Sequence, residues 1–374
     1  MGERRFDLLC AVLVSLTLHV CCVGGEVVFR AGTEGHHTYR IPALVQVQAD
    51  TLLAFAEGRR DNMRDPGGGH INLVYKVSHD GGRSWSPLRY LDRSREGWAA
   101  SNPTAVVDRR TGRVFVFFNR WKPGRGSSNS RVGSRDNQVW MRFSDDGGRS
   151  WAEPIDVTDA VRDVNRWSSV VCGPGNGIQL HTGRLVVPVY GERPRRDPIW
   201  RAAFAVFSDD GGKTWQRGEW VSVNCNENQM VELDNGVVVV DARQEGGVAH
   251  RWMLVSRDGA VTWGKPREGL TVTPVCTSLV RYRPRGDTES WYIWSGPRGP
   301  GRRDLVLKLS TDQCRTFQGE LLVGPGPAAY SNLAVLANGR VGVVWEAGEK
   351  HPYETIQFAA VERARIEQLA AATQ

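Results

Sequence analysis

The octapeptide Ser144-Asp145-Asp146-Gly147-Gly148-Arg149-Ser150-Trp151 occurs in this chain in five versions. Two close copies are Ser78–Trp85 and Ser208–Trp215, and two looser copies are Ser256–Trp263 and Ser310–Phe317. In such a sequence Ser and Asp side chains bond nearby backbone N–H groups, Gly adopts positive φ, and the final aromatic ring packs inward. Each copy therefore predicts a hairpin turn. Five copies suit a structural clip better than a catalytic or metal-binding aspartate.

The spacing of these turns predicts the architecture. The copies start at residues 78, 144, 208, 256 and 310, which are 66, 64, 48 and 54 residues apart. A strand-like run precedes each copy: Ile71–Val77, Gln138–Phe143, Ala202–Phe207, Arg251–Val255 and Leu305–Leu309. This spacing is typical of a four-stranded propeller blade with its loops.

A sixth blade is expected where the two ends of the chain meet. Val27–Arg30 and Thr355–Val361 are candidate strands for that closure, and Glu362–Ala371 is a candidate short helix. No low-complexity linker interrupts residues 26–374. We therefore predict one all-β domain, a six-bladed β-propeller of four-stranded antiparallel blades, over residues 26–374.

The composition agrees with a turn-rich, soluble chain. The 374 residues include 42 Gly and 18 Pro, and hydrophobic residues make up 40%. Gly and Pro spread evenly along a chain would interrupt long helices, so a helical bundle is disfavoured. Lys and Arg number 48 against 41 Asp and Glu, a formal charge of +7 without long runs of one sign. A basic surface of this size can attract nucleic acid, anionic membranes or a small acidic substrate, and the lack of long basic runs disfavours nucleic acid.

The first 25 residues are predicted to be an export signal. Arg4 and Arg5 precede an apolar run from Leu8 to Val23, and small Gly24 and Gly25 follow. The run is 16 residues long, short of the roughly 20 that span a bilayer, so no stable transmembrane anchor is expected. The prediction is a secreted or periplasmic protein, with a lipid anchor or a lysosome-like compartment left open.

Cysteines and histidines give little sign of a metal. Cys172, Cys225, Cys276 and Cys314 are widely spaced with no C-x-x-C pair, and His36-His37 lacks a third ligand at metal spacing. Export permits disulfides, and four cysteines allow three pairings, but buried free thiols are equally compatible with the sequence. The pairing stays open.

Several further motifs accompany the turns in a fixed order. They are Tyr39-Arg40-Ile41-Pro42, Ala56-Glu57-Gly58-Arg59, Gly173–Leu180, Asn226–Glu232, Asp241-Ala242-Arg243, Arg302–Leu305, Ala329-Tyr330-Ser331 and Trp345-Glu346. Together with the turns, this set resembles the Asp-box propellers of the sialidase (neuraminidase) family from about Val27 to about Val361. The resemblance implies an exo-sialidase, which removes terminal α-linked sialic acid from glycoproteins, glycolipids or oligosaccharides with retention of configuration.

The resemblance implies a set of arginines for the carboxylate of the sugar. Arg40, Arg243 and Arg302 match the three carboxylate-binding arginines, since guanidinium forks suit carboxylates. Arg303 is the rival for the third role. Arg59 matches an arginine near the 4-position of the sugar, and Glu346 matches the acid that orients the first arginine.

The resemblance also implies the reacting groups. Sialidases use a tyrosine nucleophile instead of a carboxylate, and Tyr330 matches it, with Glu227 as its base. The general acid should be an aspartate in the loop Arg59–His70, and Asp65 is the prediction, with Asp61 as the alternative. Asn72 departs from the family pattern, which often has an acid there.

The sequence leaves some alternatives to hydrolysis open. The same site geometry would serve a trans-sialidase or a relative specific for deaminated sialic acids, and a non-catalytic sialic-acid-binding propeller would lack part of the catalytic set.

The resemblance implies sialylated glycans as partners and implies no metal or organic cofactor. The basic loops Lys122–Arg135 and Arg193–Arg196 are expected to be solvated, with contact to anionic glycans as the second reading. Oligomeric state is not indicated.

Overall fold

The computed structural model describes residues 24–94, 97–283 and 289–371. Within these ranges the chain forms 25 β-strands, two short α-helices and one 3₁₀ turn. The all-β prediction is therefore confirmed. Residues 1–23 of the predicted export signal, which include Cys10, Cys21 and Cys22, lie outside the described residues. The signal therefore stays a prediction.

The first two units are antiparallel sheets of neighbouring strands. The chain opens with β1 (Glu26–Arg30), followed by β2 (Thr38–Gln48), β3 (Thr51–Arg59), β4 (Ile71–Ser78) and β5 (Arg89–Asp92). The second unit contains β6 (Ala99–Val107), β7 (Val114–Trp121), β8 (Asn137–Ser144) and β9 (Ile155–Asp156). The 3₁₀ turn (Ser127–Asn129) lies between β7 and β8, and α1 (Thr158–Val161) follows β9. Strands β2 to β5 and β6 to β9 each pair in chain order.

The third and fourth units repeat this arrangement with one irregularity. The third contains β10 (Ser169–Cys172), β11 (Gly175–Asn176), β12 (Ile178–Gln179), β13 (Leu185–Glu192), β14 (Arg201–Ser208) and β15 (Gln216–Arg217). Here β10 and β12 both pair with β13, whereas β11 pairs in parallel with β6 of the second unit. The fourth contains β16 (Cys225–Glu232), β17 (Val238–Gln244), β18 (His250–Ser256) and β19 (Arg267–Thr271).

The last sheet has seven strands and joins two such units through one long strand. Its strands are β20 (Ser278–Tyr282), β21 (Trp291–Pro297), β22 (Arg303–Ser310), β23 (Gln318–Val335), β24 (Val341–Ala347), β25 (Thr355–Val361) and β1. The first half of β23 pairs with β22 and its second half with β24. β1 pairs antiparallel with β25, as predicted for the two ends of the chain. The final helix is α2 (Arg363–Ala371), close to its predicted range.

All five repeated octapeptides form the predicted turn. Each begins at the last residue of the third strand of its unit, and in the second unit Ser144 Oγ accepts a hydrogen bond from Gly148 N at 2.8 Å. Asp146 accepts bonds from the amide and hydroxyl of Ser150, the latter at 2.6 Å. The Trp151 ring packs edge-on against Phe55 of the preceding unit. The turns therefore clip each unit to its neighbour.

The first strands of the units pack against one another. β2 contacts β6 and β23, β6 contacts β10 and β12 of the third unit, β12 contacts β16, β16 contacts β20, and β20 contacts β23. β2 begins, β3 ends and β4 begins at the same end of the first unit, whereas β4 ends at the octapeptide turn. The sheet end where β2 begins therefore lies opposite the turns. Most of the motif residues belong to it.

The described residues contain neither a disulfide, nor a helix that could span a membrane, nor a cluster of metal-binding side chains. Cys172, Cys225, Cys276 and Cys314 are buried and free, so none of these described cysteines is in a disulfide. Among the described residues, no helix combines the length and apolar character needed to cross a bilayer. Within the same ranges no group of three or more His, Cys, Asp or Glu side chains is arranged to hold a metal ion.

Candidate active site

The sheet ends opposite the repeated turns present most of the motif residues. Arg40 lies near the start of β2 and Arg59 ends β3. Glu227 lies near the start of β16, Arg243 near the end of β17 and Glu346 near the end of β24. First strands begin and second strands end at the same edge of an antiparallel unit. Residues far apart in sequence therefore meet there.

Irregular strand pairing occurs at three of the motif residues, Arg40, Glu227 and Tyr330. The register between β2 and β3 shifts after Arg40, that between β16 and β17 shifts around Glu227, and that between β23 and β24 shifts around Tyr330. Ile41, next to Arg40, has a φ of 58°. Bulges of this kind re-aim a side chain out of the regular alternation. They point the three side chains toward a common region.

Tyr330 lies at the centre of the cluster. Its hydroxyl is 2.7 Å from both carboxylate oxygens of Glu227, and Arg243 Nη1 donates to the same hydroxyl at 2.8 Å. Arg243 Nη1 also donates to Glu227 Oε2 at 2.6 Å. Tyr330, Glu227 and Arg243 therefore form one hydrogen-bonded triad.

The electrostatics of the triad keep the tyrosine protonated at rest. Burial, and after it the negative charge of Glu227, raises the pKa of the Tyr330 hydroxyl well above 10. Burial alone would lower the pKa of Arg243, but the nearby Tyr330 and Glu227 more than offset it and the pKa lies above its usual value. Tyr330 must therefore transfer its proton to a base before it can act as a nucleophile, and Glu227 is in contact with it.

Glu346 holds Arg40 next to the triad. This fully buried carboxylate accepts a bond from Arg40 Nε at 2.6 Å and from Ile41 N at 2.9 Å through Oε1. Its Oε2 accepts a bond from Tyr330 N at 3.2 Å. Burial alone would lower the pKa of Arg40, but the charge of Glu346 more than offsets it, so the pKa lies above its usual value. Arg40 stays charged and fixed relative to Tyr330.

Arg302 and Arg243, the other two predicted ligands of the substrate carboxylate, lie near Tyr330 as Arg40 does. The Arg302 Cζ lies 5.6 Å from the Tyr330 ring centroid, and the Arg40 Cζ lies 5.3 Å from it. Arg303, the rival, is an exposed residue at the start of β22. Arg243 Nε is buried and has no hydrogen-bond partner within the described residues. Arg40, Arg243 and Arg302 therefore surround one tyrosine with three guanidinium groups.

Arg59 and Asp65 form a second group at the same edge. Arg59 is 1% exposed and donates to Glu57 Oε2 from Nε at 2.9 Å and to Asp65 Oδ1 from Nη2 at 2.8 Å. The Asp65 side chain is 81% exposed. Glu57 is the cross-strand partner of Arg40, which connects this group to the triad. Burial raises the pKa of Glu57, although Arg59 opposes the shift.

Asp61 and Asn72 have different surroundings from Asp65. Asp61 Oδ2 accepts a bond from His70 N at 3.3 Å, at the other end of the loop. Asn72 is buried, lies 3.2 Å from His36 Nε2 through Nδ2 and accepts a bond from Ser94 N. Of the two candidate aspartates, only Asp65 is in contact with a predicted site arginine among the described residues.

Two residues at the site were not assigned from the sequence. Tyr353, in the loop between β24 and β25, accepts a hydrogen bond from Arg302 Nη1, and its ring centroid lies 3.8 Å from the Arg40 Cζ. Glu57 belongs to the Ala56–Arg59 motif, in which the sequence predicts a role only for Arg59. The only sequence signal for Tyr353 is an aromatic residue in a polar loop, whereas Glu57 is marked by its place two residues before Arg59.

Comparisons with known proteins agree on one family. Residues 50–343 match the BNR repeat-like domain. The sialidase of Micromonospora viridifaciens is 30% identical over 354 residues, which cover 88% of this chain and 53% of that protein. The exo-alpha-sialidase of Aspergillus fumigatus is 30% identical over 348 residues, covering 84% of this chain and 79% of that protein. The chain thus spans about half of the bacterial relative and most of the fungal one.

A solved structure is similar over most of the chain. The structure of the Hadza microbial sialidase Hz136 superposes with a TM-score of 0.82 at 27% sequence identity. The superposition covers 91% of this chain and 69% of that protein.

Proposed function

Because the chain belongs to the sialidase family of glycoside hydrolases, we propose that it is an exo-sialidase that hydrolyses terminal α-linked sialic acids of glycoconjugates. The observation that carries the proposal is the contact of the Tyr330 hydroxyl with Glu227 and Arg243 at 2.7 and 2.8 Å. A buried tyrosine bonded to a carboxylate and surrounded by arginines suits attack on a sugar that carries its own anionic charge. A carboxylate nucleophile would be repelled by that charge.

In the proposed reaction the three arginines hold the carboxylate of the substrate. Asp65 protonates the departing glycosidic oxygen while Glu227 takes the proton of Tyr330, whose oxygen attacks the anomeric carbon. The bond to the aglycone, the part of the glycan that leaves, breaks as the tyrosyl bond forms. Water activated by deprotonated Asp65 then breaks the tyrosyl bond and releases sialic acid with retained configuration.

The surroundings of Asp65 support its role as the acid. The side chain is on an exposed loop and contacts Arg59, whereas Asp61 contacts only the loop itself and the neighbouring Arg60 among the described residues. An accessible acid beside the sugar-binding cluster can reach the glycosidic oxygen of a bound substrate.

Kinetics of three variants test the mechanism. We expect Tyr330→Phe and Glu227→Gln to lower kcat on 4-methylumbelliferyl sialoside about 10²- to 10⁴-fold, the range for loss of acid–base or nucleophilic catalysis. Asp65→Ala should lower kcat more on sialyllactose than on the fluorogenic sialoside, because a phenol leaving group needs less protonation. Full activity in Tyr330→Phe would contradict the assignment.

Product analysis separates hydrolysis from the alternatives. NMR of the first-formed anomer should show retention, and free sialic acid should be the product both with and without an acceptor sugar. Transfer to the acceptor would identify a trans-sialidase. Binding of sialoside without turnover would identify a non-catalytic binding protein.

The fold proposal is that the six four-stranded units close into a six-bladed propeller. The pairing of β1 with β25 and the successive contacts of the first strands support it, because the last of these contacts returns from β23 to β2. The similarity to the Hz136 structure over 91% of the chain supports it as well. In such a ring the site would lie on the axis, at the face opposite the octapeptide turns.

A further inference from the structure

A small cavity lies beside the loop that carries Asp65. Its volume is about 260 Å³. One wall comes from the loop after β7 and the other from the loop after β13. Lining residues include Ser127, Ser128, Ser130, Arg193, Arg195 and Trp200.

Two sets of contacts place this cavity next to the candidate site. A Cβ added to Gly126, the neighbour of Ser127, would lie 2.3 Å from the carbonyl oxygen of Pro66, so this loop touches the residue after Asp65. At the floor of the cavity, Arg201 pairs with both Glu192 and Glu245.

Glu245 is connected through Asn226 to Glu227, the proposed base. Glu245 Oε1 accepts a bond at 2.6 Å from Asn226 Nδ2, and Asn226 Oδ1 accepts one from the backbone N–H of Glu227. The cavity is thus bounded by the acid loop and by the neighbours of Glu227. An acid protonates the oxygen that joins the sialic acid to its aglycone, so the aglycone leaves on the side of that acid, where this cavity lies.

The charges of the two walls differ. On the loop after β7, Arg125 and Arg131 face Asp136, and Arg135 pairs with two aspartates. On the loop after β13, neither Arg193 nor Arg195 has a carboxylate within 4 Å in the part of the chain that the structure describes. Arg193 and Arg195 at the cavity wall therefore carry positive charge that no described carboxylate contacts, and Asp197 acts on Arg193 only from beyond that distance.

Aromatic rings hold the two unpaired guanidinium groups. Arg195 Cζ lies 4.1 Å from the Trp200 ring centroid and Arg193 Cζ lies 4.0 Å from that of Trp220. Burial and the charge of Arg166 lower the pKa of Arg193, while Asp197 opposes the shift. A stacked guanidinium keeps its N–H edge available, which is the edge that binds carboxylates bidentately.

We propose that this cavity binds an anionic group on the aglycone, so that the preferred substrates are sialosides whose penultimate sugar carries its own carboxylate, as a second sialic acid does. The two arginines supply charge-assisted hydrogen bonds, and the serine hydroxyls supply neutral ones. This inference rests on the proposed sialidase activity and assigns its substrate class.

The test compares two natural aglycones in the full chain. We measure kcat/KM on an α2,8-linked sialic acid dimer and on 3′-sialyllactose, and take the ratio of the two values. The Arg193→Ala/Arg195→Ala variant should lower this ratio about tenfold or more, the effect of losing hydrogen bonds between charged groups. The wild-type ratio should also fall as NaCl is added, because salt screens the attraction.

Matched variants control for folding and for net charge. Arg193→Gln/Arg195→Gln keeps part of each side chain against the Trp rings and should also lower the ratio. Arg149→Ala removes an exposed arginine at the octapeptide turn, at the opposite sheet end, and should leave the ratio unchanged. A ratio unchanged in both double variants would overturn the inference. Failure of the wild type to cleave either substrate or the fluorogenic sialoside would instead overturn the proposed function.

Discussion

At the scale of single residues, the position of the arginines depends on neighbours to which the proposed reaction assigns no chemical step. Glu346 bonds to the side chain of Arg40 and to the backbone of Tyr330, so it fixes the distance between a ligand of the carboxylate and the nucleophile. Tyr353 bonds to Arg302 and covers the guanidinium of Arg40. Two of the three arginines therefore share one aromatic support.

This arrangement makes Tyr353 a positioning residue. Tyr353→Phe keeps the ring over Arg40 but removes the hydrogen-bond acceptor of Arg302. We expect KM for the fluorogenic sialoside to rise about tenfold, the size of a lost hydrogen bond to a charged group. The reacting groups are unchanged, so kcat should fall less, by about threefold at most. Steady-state kinetics measure both values.

A second tyrosine provides the control. Tyr75 donates its hydroxyl to Gly148 O at the octapeptide turn, far from the arginines in the fold. Tyr75→Phe therefore loses a hydrogen bond of similar kind and should leave KM unchanged. Equal KM values in Tyr353→Phe and wild type would show that Arg302 does not need this acceptor.

At the scale of elements, the octapeptide turns are fixed by local chemistry and by one close packing contact. In the third unit Gly212 has a φ of 85°, and a Cβ there would lie 2.2 Å from Phe115 Cζ of the second unit. The Trp215 ring packs on Phe115 and Phe117 as well. One turn therefore docks its unit against the previous one through a glycine and a tryptophan.

The contribution of that contact can be separated from backbone strain. Gly112 also has positive φ, 77°, but a Cβ there meets nothing within 4 Å. Gly112→Ala should cost about 1 kcal/mol of unfolding free energy, from strain alone. Gly212→Ala adds a steric clash and should cost at least about 2 kcal/mol more. Urea unfolding curves with equal slopes measure the difference, and equal losses would show that the turn does not dock closely.

The sequence predicts these turns well because each depends on residues within eight positions. The strands that precede them were predicted for the same reason, and β4, β8, β14, β18 and β22 match their predicted ranges to within two residues. The 18-residue strand β23 was not foreseen, since Gly324–Pro327 reads as a break and pairing on both sides sustains the strand. Tyr353 was missed because its partner Arg302 is 51 residues away and no motif marks the contact.

At the scale of the whole molecule, the ends of the chain hold the proposed ring together. β1 pairs with β25, and its Phe29 is fully buried, with its ring centroid 5.2 Å from that of Tyr39 in the first unit. The same small strand thus belongs to the last sheet and packs on the first. The sequence could link the charge of +7 only to acidic partners in general, whereas the structure places three arginines around Tyr330 and two at the wall of the neighbouring cavity.

If the units form one closed ring, weakening β1 should destabilise all of them together. Phe29→Ala removes a buried ring and should lower the unfolding free energy by about 3 to 5 kcal/mol. Val27 on the same strand is 37% exposed, so Val27→Ala should change it by less than about 0.5 kcal/mol. Because a closed ring unfolds as a unit, tryptophan fluorescence and far-UV circular dichroism should give coincident transitions in both variants. An early transition in Phe29→Ala that involves only part of the dichroism signal would show instead that the sheets unfold independently and that the pairing of β1 with β25 does not close the molecule.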